Sequence, residues 1–306
     1  MSLSNSGNVY TVVGGRDEAL EAARRTVEIR EGQAKQNQDF EPDLADSLND
    51  LSLRNSDLGR LDEALKATER AVEIYERLAK QNPDAFERGL ADTLNNLSLR
   101  YSEMGRRDDA LESAQRAVEI YQRLAKRNPA AFEPDLADTL NNLSLRYSGL
   151  GRLDEALEAA ERAVGIYQRL TMQNPKAFGP DLAHSLNNLG NVYWWLGSLD
   201  EALGTSERAI DVFERLTEQD ADAFGLGLAD SLNDLGNIHW WLGGLDAALG
   251  AAERAVGVYQ RLAKQNPDAF EPRLAAGLRA LGIMCYEGNP RQAANAFRRG
   301  VRTLRR

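Results

Sequence analysis

A sixteen-residue phrase returns every 46 residues along this chain, and that period restricts the possible folds more than any other feature. LADTLNNLSLRYSEMG at Leu90 comes back as LADTLNNLSLRYSGLG at Leu136, LAHSLNNLGNVYWWLG at Leu182 and LADSLNDLGNIHWWLG at Leu228. LADSLNDLSLRNSDLG precedes them at Leu44, a degenerate LAAGLRALGIMCYEGN keeps the phase at Leu274, and the N-terminal LSNSGNVYTVVGG matches the middle of the Leu182 copy. Self-similarity at a fixed period of 20–50 residues marks stacked supersecondary units, none of which buries its apolar face alone. The expected organisation is a single solenoid over residues 1–306, with units at about 1–43, 44–89, 90–135, 136–181, 182–227, 228–273 and 274–306.

Each unit reads as two helices. Leu136, Leu140, Leu143, Tyr147 and Leu150 are spaced by four, three, four and three residues, which lines them up on one helical face. A glycine then ends the helix, at Gly14, Gly59, Gly105, Gly151, Gly197 and Gly243. LDEAL or a variant follows, with its carboxylates in the first turn of a second helix. Ala156, Ala160, Ala163, Tyr167 and Leu170 give that helix its own stripe, and it is expected to end near Lys80, Lys126 or Lys264. NPAAFEPD and its variants then read as turns. Their phenylalanines, Phe40, Phe86, Phe132, Phe178, Phe224 and Phe270, are expected to plug between neighbouring units.

Composition narrows the function. With 42% hydrophobic and 27% charged residues and a net charge of -10, the chain folds and stays in water. The acidic balance excludes nucleic acid as a partner, since phosphate recognition needs a surplus of Lys and Arg on one face. Cys285 stands alone, so no intramolecular disulfide forms. No leader sequence or membrane span is visible, and the expected location is the cytoplasm. Only two histidines occur, His184 and His239, and His239 falls where other copies carry Tyr101, Tyr147 and Tyr193. Neither metal-ligand spacing nor a nucleophile or phosphate motif is present, and each candidate carboxylate has copies 46 residues away. The expectation is no catalytic residue, no metal and no cofactor.

The order Leu189, Gly190, Tyr193, Gly197, Ala202, Ala209 resembles the tetratricopeptide repeat, and LNDL followed by GRLDEALKATERAVEIY is similar to its kinesin-light-chain-like branch. The departures are a 46-residue period instead of about 34, and Thr68, Ala160 and Ser206 where the second helix usually carries an aromatic. The resemblance implies an all-α, right-handed α-solenoid superhelix of about seven helical hairpins, with first helices lining a concave groove that binds a protein or an extended peptide.

By that pattern, three rows face the groove. One is acidic: Asp46, Asp92, Asp138, His184, Asp230. A second is amide: Asn49, Asn95, Asn141, Asn187, Asn233. Its neighbour row is Asp50, Asn96, Asn142, Asn188, Asp234, with Asn191 and Asn237 one turn beyond. Asn donates to and accepts from a peptide backbone whatever the side chains, although the same amides could instead bond between repeats and lock the stack. All four tryptophans, Trp194, Trp195, Trp240 and Trp241, occupy two equivalent positions of consecutive repeats. One of each pair is expected to pack against the next repeat and the other to reach the groove. Without Lys or Arg on these rows a carboxylate clamp is not expected, and Arg54, Arg100 and Arg146 read as partners of acidic neighbours. The expected partner is a basic or aromatic peptide or protein. Arg298, Arg299, Arg302, Arg305 and Arg306 would cap one end of the stack. The less polar other end leads either to a longer array, such as the sensing arm of a signalling protein, or to head-to-tail self-association.

Overall fold

The computed structural model describes residues 15–288, so Gly14 and the C-terminal arginines lie outside the described residues. Twelve α-helices fill the described chain: α1 (Arg16–Gln36), α2 (Glu41–Asp57), α3 (Leu61–Gln81), α4 (Pro83–Glu103), α5 (Arg107–Arg127), α6 (Pro129–Gly149), α7 (Leu153–Gln173), α8 (Pro175–Leu196), α9 (Leu199–Thr217), α10 (Ala221–Trp241), α11 (Leu245–Gln265) and α12 (Pro267–Gly288). They form two compact units, the first ending at Arg152 and the second beginning at Leu153. Within each unit consecutive helices pack in chain order, and the first helices α2 and α4, α4 and α6, and α8 and α10 touch one another. The chain is an all-α repeat solenoid.

Glycine ends the first helices for the reason anticipated. Gly59, Gly105, Gly151, Gly197 and Gly243 have φ between 70° and 77°, where a Cβ would be strained. The residue after the glycine then returns its N–H to a first-helix carbonyl, as Arg106 does to Tyr101 at 2.8 Å.

The start of each first helix differs from the expectation. The Asn-Pro segments are not turns: Asn82, Asn128, Asn174 and Asn266 are N-caps whose side chains accept from the backbone N–H three residues on, and the proline opens the helix. Proline suits that place because the first N–H of a helix has no intrahelical partner. The linker phenylalanines therefore lie in a helical first turn or just before one, half-buried, and Phe224 and Phe270 pack against the core of the second unit.

The two helices of a hairpin cross on small side chains. Ala64, Ala110, Ala156, Ala202 and Ala248 are buried to 1% exposure or less, as are Leu48, Leu94, Leu140, Leu186 and Leu232 on the first helices. Each such leucine contributes about 2 kcal/mol by leaving water. In the first unit the Thr68 hydroxyl donates to Ser52 at 2.6 Å across the crossing. In the second unit Gly190 occupies the position of Ser52, and a Cβ there would stand 2.9 Å from the Thr205 hydroxyl.

A Cβ on Gly227 would come within 2.4 Å of the Phe213 ring, whereas one on Gly204 meets nothing within 4 Å. Gly227→Ala is therefore expected to lower unfolding free energy by about 1–3 kcal/mol through overpacking. Gly204→Ala is expected to raise it by about 0.5–1 kcal/mol through helix propensity. Urea unfolding of both variants checks the pair.

Candidate partner-binding face

The amide row is spent largely within the stack. In the first unit Asn49 donates from Nδ2 to the Thr93 hydroxyl, and Asn95 to the Thr139 hydroxyl, both at 2.9 Å. In the second unit Asn187 donates to the Ser231 hydroxyl at 2.7 Å. Each hydroxyl donates in turn to the carbonyl four residues back in its own helix. The Oδ1 atoms of Asn49, Asn95 and Asn187 are buried and accept no hydrogen bond. Their amides thus join neighbouring first helices and offer a partner little. Asn141 is itself buried on α6. Asn233 breaks the series because the equivalent next position is Gly277, and it instead lines a cleft with Asn237, Tyr259 and Arg273.

Sequence reasoning missed what steadies the acidic row. Tyr75 donates to Asp46 at 2.5 Å, Tyr121 donates to Asp92, and Tyr259 donates to Asp230 at 2.5 Å, each from the second helix of the same hairpin. Burial, followed by the adjacent carboxylate's hydrogen bond and charge, pushes these phenols above the ordinary tyrosine range. In the hairpin of α8 and α9 both partners change: His184 packs edge-on against Phe213, with centroids 5.2 Å apart. That paired substitution, 29 residues apart, was the available signal. Asp46, Asp92, Asp138 and His184 remain exposed, while Asp230 is half-buried and also pairs with Arg273 at 2.7 Å.

The neighbouring row is freer. Asn96 and Asn191 are exposed; Asn142, Asn188 and Asn237 are half-buried. Asp234 is held up at about 6 by burial and then by Asp230.

The next turn of the first helices separates the units chemically. In the first, Arg54 is buried against Asp57 at 3.1 Å and Asp50 at 3.4 Å, and Arg100 is buried against Glu103 at 3.1 Å. Burial lowers the pKa of Arg100 and of Arg146, opposed in both by Glu103. Arg54 and Arg100 are partners of acidic neighbours, as expected. In the second unit Val192 and Ile238 take the arginine positions, and the two residues that follow Val192 and Ile238 by two and three places are Trp194–Trp195 and Trp240–Trp241. Trp195 and Trp241 are 67% and 70% exposed. Trp194 is half-buried and meets Trp241 of the next repeat edge-on at 5.8 Å, while Trp240 packs against the core of its unit.

Sequence profiles of the tetratricopeptide repeat family match residues 44–84, 90–130, 136–171 and 181–261, together more than half of the chain. The chain is a tetratricopeptide repeat protein. No curated protein sequence matches it. Solved structures that share the fold of this repeat protein include BtubC (BKLC) from P. vanneervenii, at 24% identity and TM-score 0.65 over 82% of this chain and 92% of that one. A structure of nearly identical TPR-like repeats from Podospora anserina, a kinesin light chain by assignment only, follows at 20% identity and TM-score 0.57, covering 74% of this chain and 98% of that one. A signal transduction ATPase with numerous domains and a tetratricopeptide repeat sensor, from Pyrococcus horikoshii, aligns at 14% identity and TM-score 0.67 over 99% of this chain and 41% of that one. Among the described residues no helix is long and apolar enough to cross a membrane, and no group of three His, Cys, Asp or Glu side chains could hold a metal ion.

Two outcomes follow from the polar rows. Thr139→Val leaves the Asn95 amide without its acceptor and is expected to cost about 1–3 kcal/mol in urea unfolding, while Thr139→Ser, the solution that Ser231 represents, keeps most of the stability. Because the Asp234 carboxyl holds its proton up to about pH 6 in the folded chain and only to about pH 3.9 when unfolded, folding takes up a proton between those values. This site therefore destabilises the protein above about pH 6, and the penalty fades as pH falls through that window. Asp234→Asn is expected to raise the melting temperature at pH 7.5 and to change it little at pH 4.

Proposed function

We propose that this protein is an interaction scaffold whose second unit holds a basic or aromatic peptide segment across α8 and α10. Tetratricopeptide repeats generally serve protein–protein contacts and do no chemistry. The observation that carries the reading is the pair of indoles, Trp195 and Trp241, that stay 67% and 70% exposed one repeat apart. Large aromatics left in water cost about 25 cal/mol per Å² of apolar surface, and burial under a partner recovers it. Exposed Asn191 and half-buried Asn188 lie one turn or so away on α8 and supply backbone hydrogen bonds. The body's net charge of -10 favours a basic segment.

A second reading makes the chain the sensing arm of a larger signalling protein. It is favoured by the 99% of this chain that aligns with the repeat-sensor protein of Pyrococcus horikoshii. Ligand capture is the same step in both, and only the output differs. Self-association through the ends of the stack is the competing function, and it makes apparent mass rise with concentration.

Titration with basic, aromatic peptides while tryptophan emission is recorded is expected to shift the spectrum at constant mass. Trp195→Ala with Trp241→Ala is expected to weaken that binding by about tenfold or more and leave unfolding within about 0.5 kcal/mol of wild type. An unshifted spectrum with rising mass in light scattering makes the chain a self-assembling element.

A further inference from the structure

Where the C-terminal end of α7 meets the first turns of α8 and the last turns of α9, the second unit has a cleft of about 870 Å³ on the side of the repeats where the helices connect. Met172, Pro175, Leu182, Val212 and Leu216 wall it, and Lys176 and Arg215 bring two cations to it. The repeats themselves supply the comparison. Glu41 and Glu87 stand at the position equivalent to Gly179, and each accepts an ion pair from the arginine 36 residues on, Arg77 at 2.5 Å and Arg123 at 2.8 Å. Those carboxylates are only 14% and 13% exposed, so the site is built to surround a carboxylate. At the equivalent place beside α1, α2 and α3 the charges are matched, by Glu41 with Arg77 and by Glu31 with Arg70 at 2.6 Å.

In the second unit the carboxylate is missing but its arginine is retained. Arg215 donates through Nε to the Asp211 carbonyl of its own helix at 2.9 Å and makes no ion pair among the described residues. Gly225 repeats the loss one repeat later, yet there Arg261 lies over the glycine, with Nη2 3.3 Å from where a Cβ would stand. At Gly179 the nearest atoms to that point are Leu216 and Val212 carbons at 3.6–3.8 Å, ordinary van der Waals contact, and no arginine lies over the glycine. The lysine of other second-helix ends, Lys80 and Lys126, is here Met172, 83% exposed, which adds an apolar lip.

We propose that this cleft is a second binding site, taking a peptide segment in which a Glu or Asp side chain stands beside an aliphatic one. The peptide carboxylate replaces the missing Glu, paired to Arg215 with Lys176 nearby, and the aliphatic side chain covers Met172, Val212 and Leu216. A wall this open to water suits side chains of a bound segment better than an enclosed small molecule.

The test uses the repeat's own solution. Leu-Glu-Leu-Leu-Glu-Leu-amide carrying fluorescein on its N-terminal amine is titrated with the full chain and read by anisotropy. Gly179→Glu is expected to supply the carboxylate from within and weaken the peptide about tenfold or more, while Gly179→Ala changes it less than about twofold. Arg215→Gln, an exposed side chain without an ion pair, and a peptide with Gln for Glu are each expected to weaken binding similarly; should Gly179→Glu fail to fold by circular dichroism, these two decide. The Trp195→Ala, Trp241→Ala chain is expected to bind this peptide normally, which separates the cleft from the indole face. The proposal is overturned if the wild-type chain does not bind the peptide, if Arg215→Gln binds it equally well, or if the tryptophan variant loses it. Octanoate binding with the same dependence on Arg215 and greater affinity than the peptide would also overturn it, since the occupant would then be a small amphipathic acid.

Discussion

A side-chain amide donating to a hydroxyl 44 residues further on holds one first helix to the next, and much else in this protein depends on it. The bond joins α4 to α6 where Asn95 reaches Thr139 at 2.9 Å. It is repeated by Asn49 with Thr93 and by Asn187 with Ser231. An amide whose Nδ2 is donated and whose Oδ1 is buried is a poor ligand for anything outside the stack. Asn49, Asn95 and Asn187, which look most like a peptide ladder, are therefore ties between rungs.

The two units are decorated differently on one scaffold. In the first, the turn beyond the amides buries arginines against Asp57 and Glu103, an arrangement in which each charge already has its counter-charge. In the second, Val192 and Ile238 replace the arginines, the counter-ions are no longer needed, and tryptophans occupy their place. The same logic applies at the connecting side of the repeats, where Gly179 deletes a carboxylate and Arg215 keeps its charge. Repetition makes such departures readable, because each altered position has several unaltered copies as its reference.

The fold was legible in the sequence because period, glycine stops and acidic second-helix starts are local signals. The helix starts were not: Asn followed by Pro satisfies a turn and an N-cap equally well, and only the backbone of Asn82 or Asn128 decides between them. The exposure of Trp195 and Trp241 followed from a simple expectation that one indole of each pair packs and the other does not. The role of Asn49, Asn95 and Asn187 stayed open, since their acceptors lie one repeat away and a donor row looks the same whether it faces a neighbour or a ligand. The tyrosine partners of Asp46, Asp92 and Asp230 were missed because the spacing of 29 residues crosses from one helix to the other, outside any helical periodicity.

The central claim is a division of labour, with amides that hold the stack and indoles that hold the partner. The most direct measurement is the nuclear magnetic resonance spectrum of side-chain N–H groups as a basic, aromatic peptide is added. The account predicts that the indole resonances of Trp195 and Trp241 move while the side-chain amides of Asn49, Asn95 and Asn187 stay in place. Movement of those asparagine amides with unmoved indoles would contradict it and return the binding role to the ladder.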